Sequence, residues 1–173
     1  MRVPAEVAST HPIPHRTMSL SLELLHVFSV FLFVGGLLGR TVAQAQARRA
    51  TDIRDLDAYL RISSQFENKM VRPGSFAVLG LGLLTAWLKH WPFAPLTWVS
   101  ASLLLFFSAF LLVPTVFIPR GRLFRAALDD ARGQGQVTPR LTAAMGDRIV
   151  AVGHAYEWAV VAAITWLMIA KPF

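Results

Sequence analysis

The stretch Leu20–Arg40 reads LSLELLHVFSVFLFVGGLLGR, and it decides what kind of protein this chain is. It is apolar over almost its whole length, and about 20 such residues are enough to cross a bilayer as a helix. Glu23, His26 and Ser29 interrupt the run at steps of three, so on a helix they share one face that continues towards Arg40. Such a helix turns its polar stripe towards other helices and its apolar sides towards lipid.

The composition of the whole chain agrees with an integral membrane protein. Of 173 residues, 54% are hydrophobic and 16% are charged. The net charge of +7 would suggest nucleic-acid binding in a soluble protein, but here the arginines cluster in two loops between apolar runs. We therefore expect the lipid bilayer, and no nucleic acid, as the surroundings of this chain. Because the chain has no cysteine, disulfides, thiolate metal sites and Cys-anchored haem are excluded.

Four apolar runs predict an all-α fold, a four-helix transmembrane bundle. The predicted spans cover about residues 20–40, 73–91, 96–118 and 149–170. Residues 1–17 are polar and contain three prolines, so we expect a disordered N-terminal tail before a transmembrane domain over residues 18–173. Pro114 predicts a kink near the end of the third span.

Two hydrophilic segments join the spans, and both predict short amphipathic helices. In the first segment Thr51 is the expected N-cap, and apolar residues at helical spacing form one face. In the second, a basic helix over Arg122–Arg132 ends at two glycines, and Thr138–Pro139 starts another helix that we expect to continue into the fourth span. The apolar face of the first segment comprises Ile53, Leu56, Leu60 and Phe66.

The distribution of Lys and Arg predicts the orientation in the membrane. Seven such residues lie between Arg40 and Arg72, six lie between Arg120 and Arg148, and four lie elsewhere. Cytoplasmic loops carry the excess of positive charge. We therefore expect a multi-pass protein of a bacterial inner (plasma) membrane, with both hydrophilic loops in the cytoplasm and both termini on the outer side.

Ionisable residues inside the spans are the candidates for function, since an unpaired charge there costs at least about 2.5–3.5 kcal/mol. The candidates are Glu23, His26 and Ser29 on the first span, and His154, Glu157 and Thr165 on the polar stripe of the fourth span. In a compact four-helix bundle the two stripes can meet. Hydrogen bonds of the two histidines that merely hold the helices in register are the plain alternative to ligand binding.

His26 is the candidate ligand of a b-type haem. A haem shared by His26 and His154 is disfavoured, because the span boundaries place the two histidines roughly 13 Å apart along the membrane normal. The chain has no Met-rich pattern and no closely spaced histidine set, so we assign no metal site. Serine-hydrolase and phosphate-loop motifs are missing from the sequence, and we assign no catalytic residue.

Two segments resemble known membrane proteins. LLHVFSVFLFVGG, residues 24–36, resembles the first helix of the copper-resistance-D-like superfamily of small membrane proteins. The ending ITWLMIAKPF is similar to a family of that group known only as predicted integral membrane proteins. Relatives in the wider group include copper-uptake proteins and a protoporphyrinogen oxidase that binds haem through a first-helix histidine, so the resemblance implies a ligand role for His26. The third span carries no basic residue, which departs from the oxidase pattern.

Three functional hypotheses remain open at this stage. The first is a haem-binding or redox-accessory membrane subunit. The second is a structural or assembly subunit whose polar stripes contact other membrane subunits or a second copy of the chain. The third is a small transporter for a metal or a porphyrin, with a path along Glu23, His26 and Glu157.

Overall fold

The structure, a computed structural model, describes residues 14–94 and 96–172, with side chains from residue 20 onwards. Most of the expected N-terminal tail lies outside this range, and its last four residues already belong to the first helix. All regular structure in the described residues is helical. The helices are α1 Pro14–Arg49, α2 Ile53–Phe66, α3 Arg72–Leu88, α4 Trp98–Leu112, α5 Ile118–Gln134, α6 Pro139–Met145 and α7 Arg148–Ala170.

Within residues 14–94 and 96–172, four helical stretches are long and apolar enough to cross a membrane. They are Leu20–Arg49, Ile53–Leu88, Trp98–Gln134 and Pro139–Ala170. The predicted all-α architecture with four spans is therefore confirmed.

The helices of spans two and three are longer than the sequence predicts. The π-helical segment Glu67–Val71 joins α2 to α3, and a second one, Val113–Phe117, joins α4 to α5. The two amphipathic helices are therefore continuous with the spans. Pro73 lies just after the first segment, and Pro114 lies within the second. Proline has no backbone N–H to donate, and the wider π-turn accommodates the missing hydrogen bond without ending the helix.

Two predictions about helix ends need correction. The N-cap of α2 is Asp52 rather than Thr51, because the carboxylate of Asp52 accepts a hydrogen bond from the backbone N–H of Arg54 at 2.6 Å. Thr138 does cap α6, but α6 ends at Met145 and a new helix begins at Arg148. The break forms because Asp147 caps α7, accepting the backbone N–H groups of residues 149 and 150.

At one end of the bundle, α2, α5 and α6 bury a small apolar cluster; we call this the basic end. Leu56 of the predicted amphipathic face is fully buried there against Ala131 and Leu141. Burying one leucine contributes about 1.5–3 kcal/mol. Arg132 of α5 forms an ion pair with Asp57 of α2 over the same cluster. The amphipathic helices therefore pack on each other, with their polar sides outward.

The spans form two pairs, with α1 packed on α3 and α4 packed on α7. Glycines bring α1 close to its neighbours: a Cβ on Gly36 would lie 2.7 Å from the Cβ of Met70, and one on Gly39 would clash with the ring of Phe66. Small residues at such crossings are how membrane helices approach closely. We call α1 with α3 the first pair and α4 with α7 the second pair.

Candidate functional site

A cavity of about 1480 Å³ lies between the two pairs. It reaches from Glu23, Lys89 and Lys171 at one end, which we call the lysine end, past Arg40 to Arg140 at the basic end. Ligand sites in proteins usually measure about 300–1000 Å³, so this cavity can hold a large organic molecule. Both predicted polar stripes contribute to its wall, because Glu23 and His26 of α1 and His154 and Glu157 of α7 all line it.

The imidazole of His26 is seated against a glycine of α3. A Cβ on Gly82 would lie 3.0 Å from Cε1 and 3.4 Å from Nδ1 of this ring, so the glycine makes the space that the ring occupies. Nδ1 of His26 is buried without a hydrogen bond of normal geometry among the described residues, and the ring also interacts with the backbone of Val78. Buried polar atoms are normally satisfied, so an orphaned ring nitrogen is a candidate ligand-binding atom.

Glu23, one turn before His26, forms an ion pair with Lys89 from the end of α3. The ammonium of Lys89 also lies 5.3 Å from the ring centre of Trp91, and that of Lys171 lies 5.0 Å from the same ring. The rings of Trp91 and Trp98 meet edge to face at 4.8 Å. Cation–π contacts of this kind hold α3, α4 and the end of α7 together at the lysine end.

A second cluster surrounds Arg40, which is 7% exposed. Its Nη1 donates to Glu67 at 2.9 Å, and its Nη2 donates to Glu157 at 2.5 Å. Nδ1 of His154 lies 3.2 Å from the same Nη2 and 2.8 Å from the Glu157 carboxylate. Arg72 also reaches Glu67, at 3.3 Å. The guanidinium of α1 thus joins the first pair to the second through a charged network inside the bundle.

Both π-helical segments contribute to this cluster, which we call the Arg40 cluster. Glu67 begins the first segment, and Phe117 ends the second, with its ring stacked on His154 at 4.8 Å and 18°. Gly153 allows that stacking, since a Cβ there would lie 3.0 Å from the Phe117 ring. Single π-turns inside α-helices occur frequently at functional sites.

The two membrane histidines lie at different depths along this cavity. His154 lies against Arg40, and Arg40 lies about four turns beyond His26 on α1, or about 21 Å at 1.5 Å per residue. One iron therefore does not take both rings as axial ligands in this arrangement. A ligand on His26 would be held by one histidine.

The remaining two sequence candidates hydrogen-bond to their own helices. The Ser29 hydroxyl donates to the carbonyl of Leu25 at 2.8 Å, and the Thr165 hydroxyl donates to the carbonyl of Val161 at 2.8 Å. Such bonds satisfy a hydroxyl in a membrane helix without any ligand. Thr165 nevertheless lines the cavity.

Arg40 and Glu67 are the functional candidates that the sequence reasoning missed. Arg40 was counted with the basic loop, and Glu67 lay in a segment interpreted as a connector. A usable signal was present, because Arg40 lies on the same helical stripe as Glu23 and His26. A buried carboxylate such as Glu157 also requires a counter-charge at its own depth.

The fold and the cavity together define an integral membrane protein with four spans. Residues 20–172 match the family described as predicted integral membrane protein, DUF2269. Since the match covers nearly the whole chain, the chain belongs to this family. No curated protein and no solved structure matches it.

Proposed function

We propose that this membrane protein binds a haem b or a related tetrapyrrole in the cavity, with His26 as the one protein ligand. The observation that supports this most is the position of the His26 ring, which lies on the cavity wall with its buried Nδ1 outside any hydrogen bond of normal geometry among the described residues. The role that we propose is that of a haem-binding or redox-accessory subunit. We also propose that the protein is related to the copper-resistance-D-like group.

The residues present fit such a group. The volume of the cavity exceeds that of usual cofactor sites, and Gly82 provides a cradle for the His26 ring. Imidazole is a normal axial ligand of haem iron, and a bound haem would supply one-electron redox chemistry. The chain's own contribution is to hold the ring and to exclude water with the apolar wall, which includes Val30, Phe33, Leu79, Phe106 and Ile164.

The proposal includes an orientation and a location. Thirteen Lys and Arg residues lie in the two hydrophilic segments and four lie elsewhere, which supports a cytoplasmic basic end. The lysine end and His26 then lie towards the outer side of a bacterial plasma membrane. The orientation can be tested separately by fusing a reporter enzyme to the C-terminus. The reporter is one that is active on only one side of the membrane.

The experiment is a visible spectrum of the detergent-purified protein, oxidised and then reduced, before and after incubation with haem. We expect a Soret band and sharpened reduced bands in the wild type and in His90→Ala, and their loss in His26→Ala. His90 is the matched control because it is an exposed histidine at the end of α3. A protein that stays colourless with haem contradicts the proposal, as does an unchanged spectrum in His26→Ala.

A second candidate function is transport of a tetrapyrrole, favoured by the extent of the cavity. One cavity reaches from the lysine end to the basic end, and the Arg40 cluster lies on its wall between them. In many transporters two helix bundles rock against each other around a central site. Uptake of a fluorescent zinc porphyrin into proteoliposomes, above the rate in empty liposomes, would support this candidate over simple binding.

A further inference from the structure

The charges on the cavity wall are not balanced. Among the described residues six carboxylates line the cavity, and each has a basic partner within 4 Å. These carboxylates are Glu23, Asp57, Glu67, Asp129, Asp147 and Glu157. The cavity therefore offers no free carboxylate, among the described residues, to a cationic guest.

Ten Lys and Arg side chains of the part of the chain that the structure describes line the same cavity, four more than the carboxylates. Within the part of the chain that the structure describes, four of the ten have no carboxylate partner. Arg48, Arg125 and Arg140 lie at the basic end, and Lys171 lies at the lysine end. Arg40 adds a buried donor, because its Nε lacks a hydrogen-bond partner among the described residues.

We propose that the natural ligand of this cavity is an anionic amphiphile, with an apolar body between the helix pairs and a carboxylate or phosphate group towards Arg125 and Arg140. The inference rests on the proposed function only for the cavity being a ligand site, and it adds the charge class of a ligand at the basic end. Arg125 and Arg140 lie beyond Arg40, which is already about 21 Å from His26, so this acidic group is not a carboxylate of a haem held by His26. Guanidinium groups bind carboxylates and phosphates by strong, often bidentate, charge-assisted hydrogen bonds. A metal cation would instead meet an excess of positive charge, so a metal cargo is disfavoured.

The middle of the cavity suits an apolar body. Between the lysine end and the Arg40 cluster its wall is mainly aliphatic and aromatic, with side chains of all four spans such as Val34, Val78, Leu103 and Val161. An amphiphile satisfies both regions at once, whereas a small inorganic anion would leave the apolar wall uncovered. The source of the acidic group is either a membrane phospholipid or another apolar acid, and the probes below separate the two.

The test compares probes that share a body and differ in charge. Protoporphyrin is paired with its uncharged dimethyl ester, oleate is compared with oleyl alcohol and oleylamine, and phosphatidylglycerol is paired with phosphatidylcholine. Binding is followed by quenching of tryptophan fluorescence, since Trp91 and Trp98 line the cavity, or by porphyrin absorbance. We expect each anionic probe that fits the cavity to bind with at least about tenfold higher affinity than its neutral partner. Within the oleyl series, we expect oleylamine to bind most weakly.

The matched variants are Arg125→Gln and Arg140→Gln, with Arg54→Gln as the control. Arg54 is also exposed and has no carboxylate partner among the described residues, but it does not line the cavity. We expect the preference for anions to fall in the first two variants and to persist in the third. The wild-type probe series needs no variant, so the test survives even if a variant folds poorly.

The outcomes separate this inference from the proposed function. If oleate and phosphatidylglycerol bind no more tightly than their neutral partners, while haem binds and His26→Ala abolishes that binding, the charge inference is wrong and the haem proposal stands. If oleate or phosphatidylglycerol is preferred over its neutral partner and no porphyrin binds, the haem proposal is wrong and the charge inference stands. A preference confined to phosphatidylglycerol identifies the phospholipid as the source of the acid. Equal affinity for anionic, neutral and cationic heads overturns the inference.

Discussion

Nη2 of Arg40 lies 2.5 Å from a carboxylate oxygen of Glu157, a residue 117 positions later in the chain. The contact joins α1 of the first pair to α7 of the second across a wide cavity. Both side chains are largely buried, at 8% and 17% exposure. The two pairs are therefore connected in the middle of the bundle by charge rather than by apolar packing.

Removing one member of this network should destabilise the bundle strongly. Arg40→Met leaves the buried Glu157 carboxylate without its cation, which costs about 3–5 kcal/mol for a buried pair. We expect a large loss in the free energy of unfolding, measured by titration with a denaturing detergent. In the double variant Arg40→Met/Glu157→Leu we expect a loss smaller than the sum of the two single losses. Arg49→Met, at an exposed arginine outside the network, should be close to wild type; equal stability of Arg40→Met would contradict the assignment.

Neighbouring glycines of α1 should respond differently to a methyl group. A Cβ on Gly36 would lie 2.7 Å from Met70 Cβ and 3.0 Å from the backbone nitrogen of Val71. Gly36→Ala should therefore destabilise by about 1–3 kcal/mol through overpacking. A Cβ on Gly35 meets the flexible end of Met70 at 3.5 Å, so Gly35→Ala should leave the unfolding midpoint unchanged or higher. The reverse order of the two midpoints would count against the α1 packing described.

The second pair carries a hydrogen bond that can be measured by itself. The hydroxyls of Ser108 and Tyr156 lie 2.7 Å apart, between α4 and α7. A double-mutant cycle with Ser108→Ala and Tyr156→Phe should give a coupling free energy of about 0.6 kcal/mol, the average for such bonds between membrane helices. A coupling of zero would mean that the two hydroxyls do not meet in the membrane.

Gly82 should control ligand binding without touching the histidine itself. A Cβ at this position lies 3.0 Å from the His26 ring, so Gly82→Ala displaces the ring from its seat. We expect haem affinity to fall by about tenfold, or roughly 1.4 kcal/mol, in a titration followed at the Soret band. Gly80→Ala is the control, since a Cβ on Gly80 meets nothing within 4 Å. Equal affinities of the two variants would remove His26 from the site.

The sequence predicts the four spans because lipid imposes a simple rule on helix length and polarity. It also predicts that the stripes of α1 and α7 meet, but the contact is made by Arg40 rather than by His26. The role of Arg40 in this contact could not be predicted from the span boundaries, because α1 continues as a helix beyond the apolar run to Arg49. A helix leaving the membrane changes its composition without changing its backbone, so Arg40 appeared to begin a loop.

The π-helical segments also escape prediction from the sequence. Pro114 indicates a kink, but whether the helix ends, bends or widens there depends on what packs against it, here His154 on the Phe117 ring. Thr138 could be predicted as a cap because a cap is a local interaction. The break at Asp147 also depends on a local cap, and what the sequence does not show is that Arg120 from α5 holds the same carboxylate at 2.9 Å.

The most direct test of the account is chemical rescue of the proposed ligand. His26→Gly removes the imidazole and leaves its space on the wall of the cavity, where free imidazole can enter. We predict that this variant with haem shows no ligated Soret band, that millimolar imidazole restores the wild-type spectrum, and that His90→Gly behaves as wild type throughout. A wild-type haem spectrum in His26→Gly without imidazole would show that another residue holds the haem and would contradict the account.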